Sequence, residues 1–432
     1  MEVPGAPLRP SLAERWTRTA VLVLLMLAVV TLAFGLGWGV NDLTSSSSGT
    51  SNNGSQDPVG ASIISEIYDV LKNNYVDKST LNADAIKQAA INGVIASLND
   101  PHTAYLSPDD LKAGALNLNS TYQGIGASVA TDNGQLQVTP FRDSPAQKAG
   151  MKAGDIVLAV DGQKTDGWST EQAVEKIRGA KGTTVTLSVK HTDGTLATIT
   201  VTRDDIPIQS VFTEPQMEIL PGKSATKLVD SSGAPVTDLA YLNISQFHDK
   251  TYDELVTQLK ALQGKNYKGL ILDMRGNPGG LLDSVVSIAD EFLDKGTILT
   301  EKDAGGQTQT WTAKPGGLET TIPIVILMDK SSASGAEVLA GALHDNGRAK
   351  IVGTRSFGKG TVNQLHVLTG CGDPKGCGDL YLSVGRWFTP SGTQIEGVGI
   401  KPDYEVDMSS SDYEAKGDIQ MFKAIDLLEG KQ

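Results

Sequence analysis

The hydrophobic pattern changes character several times along the chain. From Ala20 to Val40 apolar residues run without a single charge, long enough to cross a bilayer as one helix. Thr44 to Gln56 is Ser, Gly, Asn and Thr with little to bury, the composition of a flexible tether. Ile63 to Leu98 restores apolar residues at helical spacing, and Asn99-Asp100-Pro101-His102 stops it. Between Tyr122 and Arg203 the period shortens to that of strands, with an Asp161-Gly162 turn signal and one helical stretch, Ser169 to Arg178. Beyond Ile206 buried strand-like runs alternate with helical ones in α/β fashion. A closing amphipathic helix is predicted from Ile419 to Leu428.

These changes predict boundaries at 1–19 (an N-terminal tail), 20–40 (a transmembrane anchor), 41–58 (a linker) and 59–118 (a helical segment). They continue with 119–205 (a strand-rich domain), 206–408 (the α/β core) and 409–432 (a tail and helix). Arg9, Arg15 and Arg18 precede the apolar run and Asp42 follows it. The positive-inside rule therefore predicts a cytoplasmic N-terminus and an extracytoplasmic remainder in a single-pass cell-membrane protein. A cleaved signal peptide is the rival, but the run is long for one and no A-x-A site precedes Asn41.

Charge and ligand chemistry then exclude several classes. The net charge of −13 disfavours nucleic acid as a partner, and no basic cluster interleaved with aromatics appears. His102, His191, His248, His344 and His366 are scattered without ligand spacing, so no metal and no cofactor is expected. Cys371 and Cys377 bracket a short loop, which outside the cytoplasm suits a disulfide worth about 2 kcal/mol.

The strongest chemical signal is a serine with a lysine. Ser334 lies in Ser331-Ser332-Ala333-Ser334-Gly335-Ala336-Glu337, and Lys359 follows in Ser356-Phe357-Gly358-Lys359-Gly360. A serine hydroxyl needs a positioned base to attack a carbonyl, and lysine serves only when its surroundings keep it partly neutral. Ser334 and Glu337 also spell an S-x-x-E capping box, so Ser334 is equally a helix N-cap candidate. Upstream, the strand-like Leu270 to Arg275 runs into Gly276-Asn277-Pro278-Gly279-Gly280 and a helix from Leu281 to Leu293. Such a turn aims backbone N–H groups at one spot and favours negative charge there.

Taken together, Asn-Pro-Gly-Gly, Ser-x-Ser-Gly-Ala-Glu and Gly-Lys-Gly resemble the carboxyl-terminal processing (tail-specific) serine proteases from about Val59 to about Leu428. The resemblance implies a crotonase-like α/β protease core carrying an inserted PDZ domain, an N-terminal helical segment and one transmembrane helix. It implies Ser334 as nucleophile and Lys359 as general base. The amide of Gly335, with one from Gly279 or Gly280, would form the oxyanion hole. Where the family carries glutamine four residues after the lysine, this chain has Asn363, with Gln364 next. Period-2 geometry puts positions 359, 361 and 363 on one face, which favours Asn363 as the orienter of Lys359 unless a bulge turns Gln364 inward. The strand-rich domain resembles a PDZ domain, whose amides at Gly124, Ile125 and Gly126 would cradle a peptide carboxylate.

The expected activity is that of a serine endopeptidase acting on proteins or peptides with free C-termini. The resemblance also implies that the helical segment supports homo-oligomerisation and that the PDZ domain gates the site. The chain leaves the substrate and any adaptor protein unnamed. Two other readings compete: a catalytically silent PDZ-containing scaffold, left open by Asn363, and a Ser-His hydrolase using His344 or His366. Alanine at either histidine is expected to leave peptide hydrolysis essentially unchanged, and loss of activity in either variant would restore the Ser-His reading.

Overall fold

The computed structural model describes residues 61–113, 120–132, 134–141, 143–216, 218–221, 227–369 and 376–431. The expected tail at 1–19, anchor at 20–40 and linker at 41–58 lie outside the described residues, as does Cys371. Among the described residues no helix is long and apolar enough to cross a membrane. The chain divides into two compact units, Leu118–Val211 with His248–Glu254, and the remainder.

The N-terminal helical segment consists of α1 (Ala61–Asn74) and α2 (Ala83–Ser97), followed by the short strand β1 (Ala104–Leu106). Asn82 caps α2 by accepting from the Ala85 amide (3.0 Å). The stop predicted at Asn99–His102 is the turn that ends it, and Asp100 holds that turn by accepting from the His102 amide at 2.9 Å.

The smaller unit is an antiparallel sheet of β2 (Ala127–Asp132), β3 (Gln135–Pro140), β4 (Asp155–Val160), β5 (Thr184–Lys190) and β6 (Leu196–Thr202), in that order. The helix α3 (Thr170–Ile177) starts on a Ser169/Gln172 capping box. Alternation in β5 turns Val185, Leu187 and Val189 inward, all fully buried, against Val138, Val157 and Ala173.

In the larger unit, β7 (Leu239–Ile244), β8 (Gly269–Asp273), β10 (Ile324–Met328), β11 (Ala349–Gly353) and β14 (Tyr404–Glu405) are parallel neighbours in that order. Every residue of β7, β8 and β10 is buried, which is why these strands read as unbroken apolar runs: a parallel sheet is covered on both faces. The last helix, α6 (Ile419–Leu428), supplies Met421, Phe422, Ala424 and Ile425 to a cluster with Tyr241, Ile271, Val325 and Val352. The helices α4 (Leu282–Phe292) and α5 (Gly335–Asp345) pack on each other. A second sheet joins β9 (Thr297–Asp303), β12 (Thr361–Val367) and β13 (Asp379–Phe388), and β1 pairs antiparallel with the start of β13. That pairing brings the N-terminal turn to the core.

One ionic cluster ties α6 to the loop after β8. Arg275 donates to Asp273 (2.8 Å) and Asp418 (2.8 Å), with its side chain only 15 % exposed. Gln420 Oε1 accepts from the same guanidinium (3.1 Å), and Tyr241 donates to Asp273 (3.0 Å). Removing the cation leaves two buried acids facing each other. Arg275→Met is therefore expected to lower unfolding free energy by about 3–5 kcal/mol in a denaturant titration, and an unchanged midpoint would contradict the assigned role.

Candidate active site

The site is built from three loops that leave the parallel sheet. The first follows β8. Asn277 is fully buried; its Nδ2 donates to the Ile244 carbonyl (2.8 Å), and its Oδ1 accepts from the Gly279 amide (2.8 Å). That fixes the Gly279-Gly280 turn against the end of β7. The Gly279 amide is thereby committed, whereas the Gly280 amide has no acceptor among the described residues. Of the two expected oxyanion donors in this turn, geometry leaves Gly280.

The second loop follows β10 and enters α5. Ser332 Oγ donates to the Met274 carbonyl (2.9 Å), and the Ala333 amide donates to the Asn277 carbonyl (2.9 Å), so the first two loops are stitched together. Ser334 is the N-cap of α5 with φ 53° and ψ −117°. The other described non-glycine residues with positive φ are Asn99, Asp143, Asp161 and Asn266, types that tolerate the left-handed region. At Ser334 the ψ lies outside it, a strain of order 1–3 kcal/mol of the kind found at functional positions. The Glu337 amide bonds the Ser334 carbonyl (2.9 Å) and the Ser334 Oγ makes no cap bond. The two sequence readings of Ser334 are thus compatible: its backbone caps the helix while its hydroxyl stays available. The Gly335 amide, first in the helix, also lacks an acceptor among the described residues.

Gly279 lies directly against the Ser334 turn. Its φ is +98°, and a Cβ there would stand 2.6 Å from Ser334 Cβ and 2.7 Å from the Gly335 nitrogen.

The third loop follows β11 and carries Lys359. It is joined to the second through Glu337, which is fully buried. Glu337 Oε2 accepts from the amides of Ser334 (2.7 Å) and Lys359 (2.9 Å). Its Oε1 accepts from the Gly358 amide (2.7 Å) and Ser356 Oγ (2.5 Å). Burial pushes the Glu337 carboxyl above its ordinary range, against the pull of these four bonds. Burial likewise holds the Lys359 amine below the ordinary lysine range, opposed by Glu396, Asp100 and Glu337. Its Nζ stands 6.0 Å from the centre of the Tyr381 ring. Ser334 Oγ and Lys359 Nζ are not hydrogen-bonded to each other here.

The expected orienting bond from residue 363 is not made. Asn363 Oδ1 accepts from Thr361 Oγ1 (3.0 Å), and its Nδ2 donates to the His102 carbonyl (2.8 Å) and Ser383 Oγ (3.1 Å). Gln364 is exposed. Thr361 and Asn363 do share a face, but the strand starts at Thr361 and Lys359 lies before it, so the alternation does not extend to the lysine. The irregularity in the β12–β13 ladder places the extra residue, Val384, in β13 rather than β12 and does not turn Gln364 inward.

Sequence reasoning missed Asn277, Glu396 and His102. Glu396 was given no role from the sequence, yet it accepts from the Gly360 amide (2.8 Å). Glu337 was visible only as a capping residue. His344 pairs with Asp345 (3.0 Å) and Asp403 (3.4 Å), and His366 is exposed; neither contacts Ser334. Cys377 is disulfide-bonded. Among the described residues no cluster could hold a metal ion. In the smaller unit the Ile125 and Gly126 amides have no acceptor among the described residues. Carbonyl groups of the same two residues accept from Ala146 (2.8 Å) and Phe141 (2.9 Å), which fixes the loop.

Gly279→Ala is expected to abolish hydrolysis while the protein still folds, because its methyl group displaces Ser334. Gly276→Ala, where nothing lies within 4 Å, carries the backbone strain alone and is expected to keep activity; equal losses would contradict this reading.

Both units are similar to known protein families. Residues 238–406 match peptidase family S41, and residues 141–190 match the PDZ domain. The carboxy-terminal-processing protease of Bartonella bacilliformis is 35% identical over 79% of this chain and 74% of its own. Carboxy-terminal processing protease CtpB of Bacillus subtilis is 33% identical over 83% of this chain and 70% of its own. Among solved structures, the photosystem II D1 C-terminal processing protease is 27% identical, covering 80% of this chain and 92% of its own, with TM-score 0.44. The two curated relatives, each more than 30% identical over most of both chains, together with the two family matches, mean that the chain belongs to the carboxy-terminal processing serine peptidases of family S41 and carries a PDZ domain.

Proposed function

We propose that this chain is a membrane-anchored endopeptidase, facing away from the cytoplasm, that cuts protein C-terminal tails with Ser334 and Lys359. The observation that carries the proposal is the Glu337 carboxylate, whose one oxygen accepts from the amides of both Ser334 and Lys359. Two loops separated in sequence are held by one acceptor, which puts nucleophile and base on a common backbone frame. The intact Gly280 and Gly335 donors also support catalysis, and nothing favours the silent scaffold.

In the proposed cycle, the tail docks its carboxylate at the Ile125 and Gly126 amides. Neutral Lys359 takes the Ser334 proton as Oγ attacks the scissile carbonyl. Negative charge on the carbonyl oxygen is met by the Gly280 and Gly335 amides, donors worth about 2.7–4 kcal/mol each in the transition state. The lysine then protonates the leaving amine, and water attacking through the same base releases the acyl group. A hydrogen bond between Ser334 and Lys359 that forms only with substrate seated is ordinary for such pairs. The anchor rests on the apolar run at 20–40 and the arginines before it.

The test is cleavage of an unstructured protein with an apolar C-terminal tail by the full-length chain. Ser334→Ala and Lys359→Ala are each expected to lower the rate by about three orders of magnitude or more; retained cleavage in either would reject the dyad. The lysine is inactive when protonated, and burial lowers its pKa. The rate is therefore expected to rise with pH through that lowered value and level off above it, whereas a flat profile from acid to mildly alkaline pH would contradict lysine as the base.

A further inference from the structure

Three consecutive amides around Lys359 end on carboxylates. Gly358 and Lys359 donate to Glu337, and Gly360 donates to Glu396 Oε2 at 2.8 Å. Glu396 Oε1 lies 3.3 Å from His102 Nε2, with the two side chains 19% and 11% exposed. His102 is itself held on several sides. Its amide donates to Asp100 (2.9 Å), its carbonyl accepts from Asn363 (2.8 Å), and its ring meets Phe357 edge-on at 6.5 Å. The turn that delivers it is locked by Thr103, which donates to Asp100 (2.6 Å) and accepts from the Ser383 amide (3.1 Å).

The amide of Asn363 is engaged by this N-terminal turn and by its own strand neighbours, and among the described residues it makes no bond to Lys359. The charges acting on Lys359 against its burial are the carboxylates of Glu396, Asp100 and Glu337, on three separate segments, and its Nζ stands 6.0 Å from the Tyr381 ring centre. The charges acting on His102 are those of Glu396, Lys359, Asp100 and Arg386. Among the charges acting on Lys359, Glu396 is the strongest, and it works against burial.

We infer that Glu396, fastened by the Gly360 amide and by His102, is the positioning residue for Lys359 and sets how readily the amine gives up its proton. Asn363 acts one step further out, by fastening the His102 turn against which Glu396 rests. The inference depends on Lys359 being the general base. A carboxylate in this position favours the ammonium form, while burial favours the neutral amine. Their balance fixes the pH above which the base works, and the hydrogen bond to Gly360 holds the carboxylate in place.

Two substitutions separate charge from shape. Glu396→Gln keeps the length and an acceptor for Gly360 but loses the charge, whereas Glu396→Asp keeps the charge and loses length. In the full-length chain, the Lys359 amine is titrated by its rate of modification with a small acylating reagent, read by peptide mapping. Lys350, which pairs with Asp403 at 2.9 Å, is the internal reference. Removing a negative charge disfavours the ammonium. The glutamine variant is therefore expected to show its Lys359 midpoint at lower pH, with labelling several-fold faster than wild type on the acid side. The hydrolysis profile should move with it, and the aspartate variant should titrate near wild type. Unmoved labelling in the glutamine variant, with hydrolysis still dependent on Lys359, would overturn the role of Glu396 and leave the dyad standing. A labelling shift that the hydrolysis profile does not follow would overturn both.

Discussion

Glu337 is the acceptor on which the proposed chemistry of this chain depends. Its four hydrogen bonds join the N-cap of α5 to the loop after β11, so the backbone positions of Ser334 and Lys359 are not independent. Charge-assisted bonds of this kind contribute about 1.5–3 kcal/mol each, but taking a carboxylate out of water costs several kcal/mol. Because burial wins, the folded carboxyl titrates above its unfolded range. The sign matters: stability from this group is fully present in acid, below the unfolded value, and is lost as pH rises through the raised folded value. In the proposed cycle, where Lys359 acts as the neutral amine, Glu337 serves geometry at the expense of stability.

Around that acceptor the arrangement is conservative in its physics. A parallel sheet buried on both faces ends its strands in loops, and those loops carry the polar groups. Asn277 and Ser332 use side-chain bonds to fix the first two loops to each other and to the end of β7. That leaves the Gly280 and Gly335 amides without acceptors among the described residues, next to a strained Ser334. The smaller unit repeats the theme on an antiparallel scaffold, where the carbonyls of Ile125 and Gly126 are fixed and their amides have no acceptor among the described residues.

Much of this was readable in the sequence, for identifiable reasons. The strands β7, β8 and β10 announced themselves as apolar runs, and the Ser334–Glu337 and Ser169–Gln172 caps lie within one helical turn. What stayed hidden was long-range. Glu337 is visible as a cap three residues from Ser334, but not its reach to Lys359 across twenty-two positions. Asn363 was expected to face the lysine because alternation was carried back past the point where the strand begins. Its true partner, the His102 carbonyl, is 261 residues away and arrives only because β1 pairs with β13. Nothing local to Glu396 distinguishes it from any loop carboxylate.

The central claim is that one buried carboxylate holds a serine nucleophile and a lysine base on a single frame. The most direct test is to treat the full-length chain with a serine-directed organophosphonate and locate the label by peptide mapping, in wild type and in Glu337→Ala. Labelling of wild type at Ser334 alone, faster as pH rises, together with loss of labelling in a Glu337→Ala protein that remains folded, is the predicted result. Labelling elsewhere, or Ser334 labelling that survives intact without Glu337, would contradict the account.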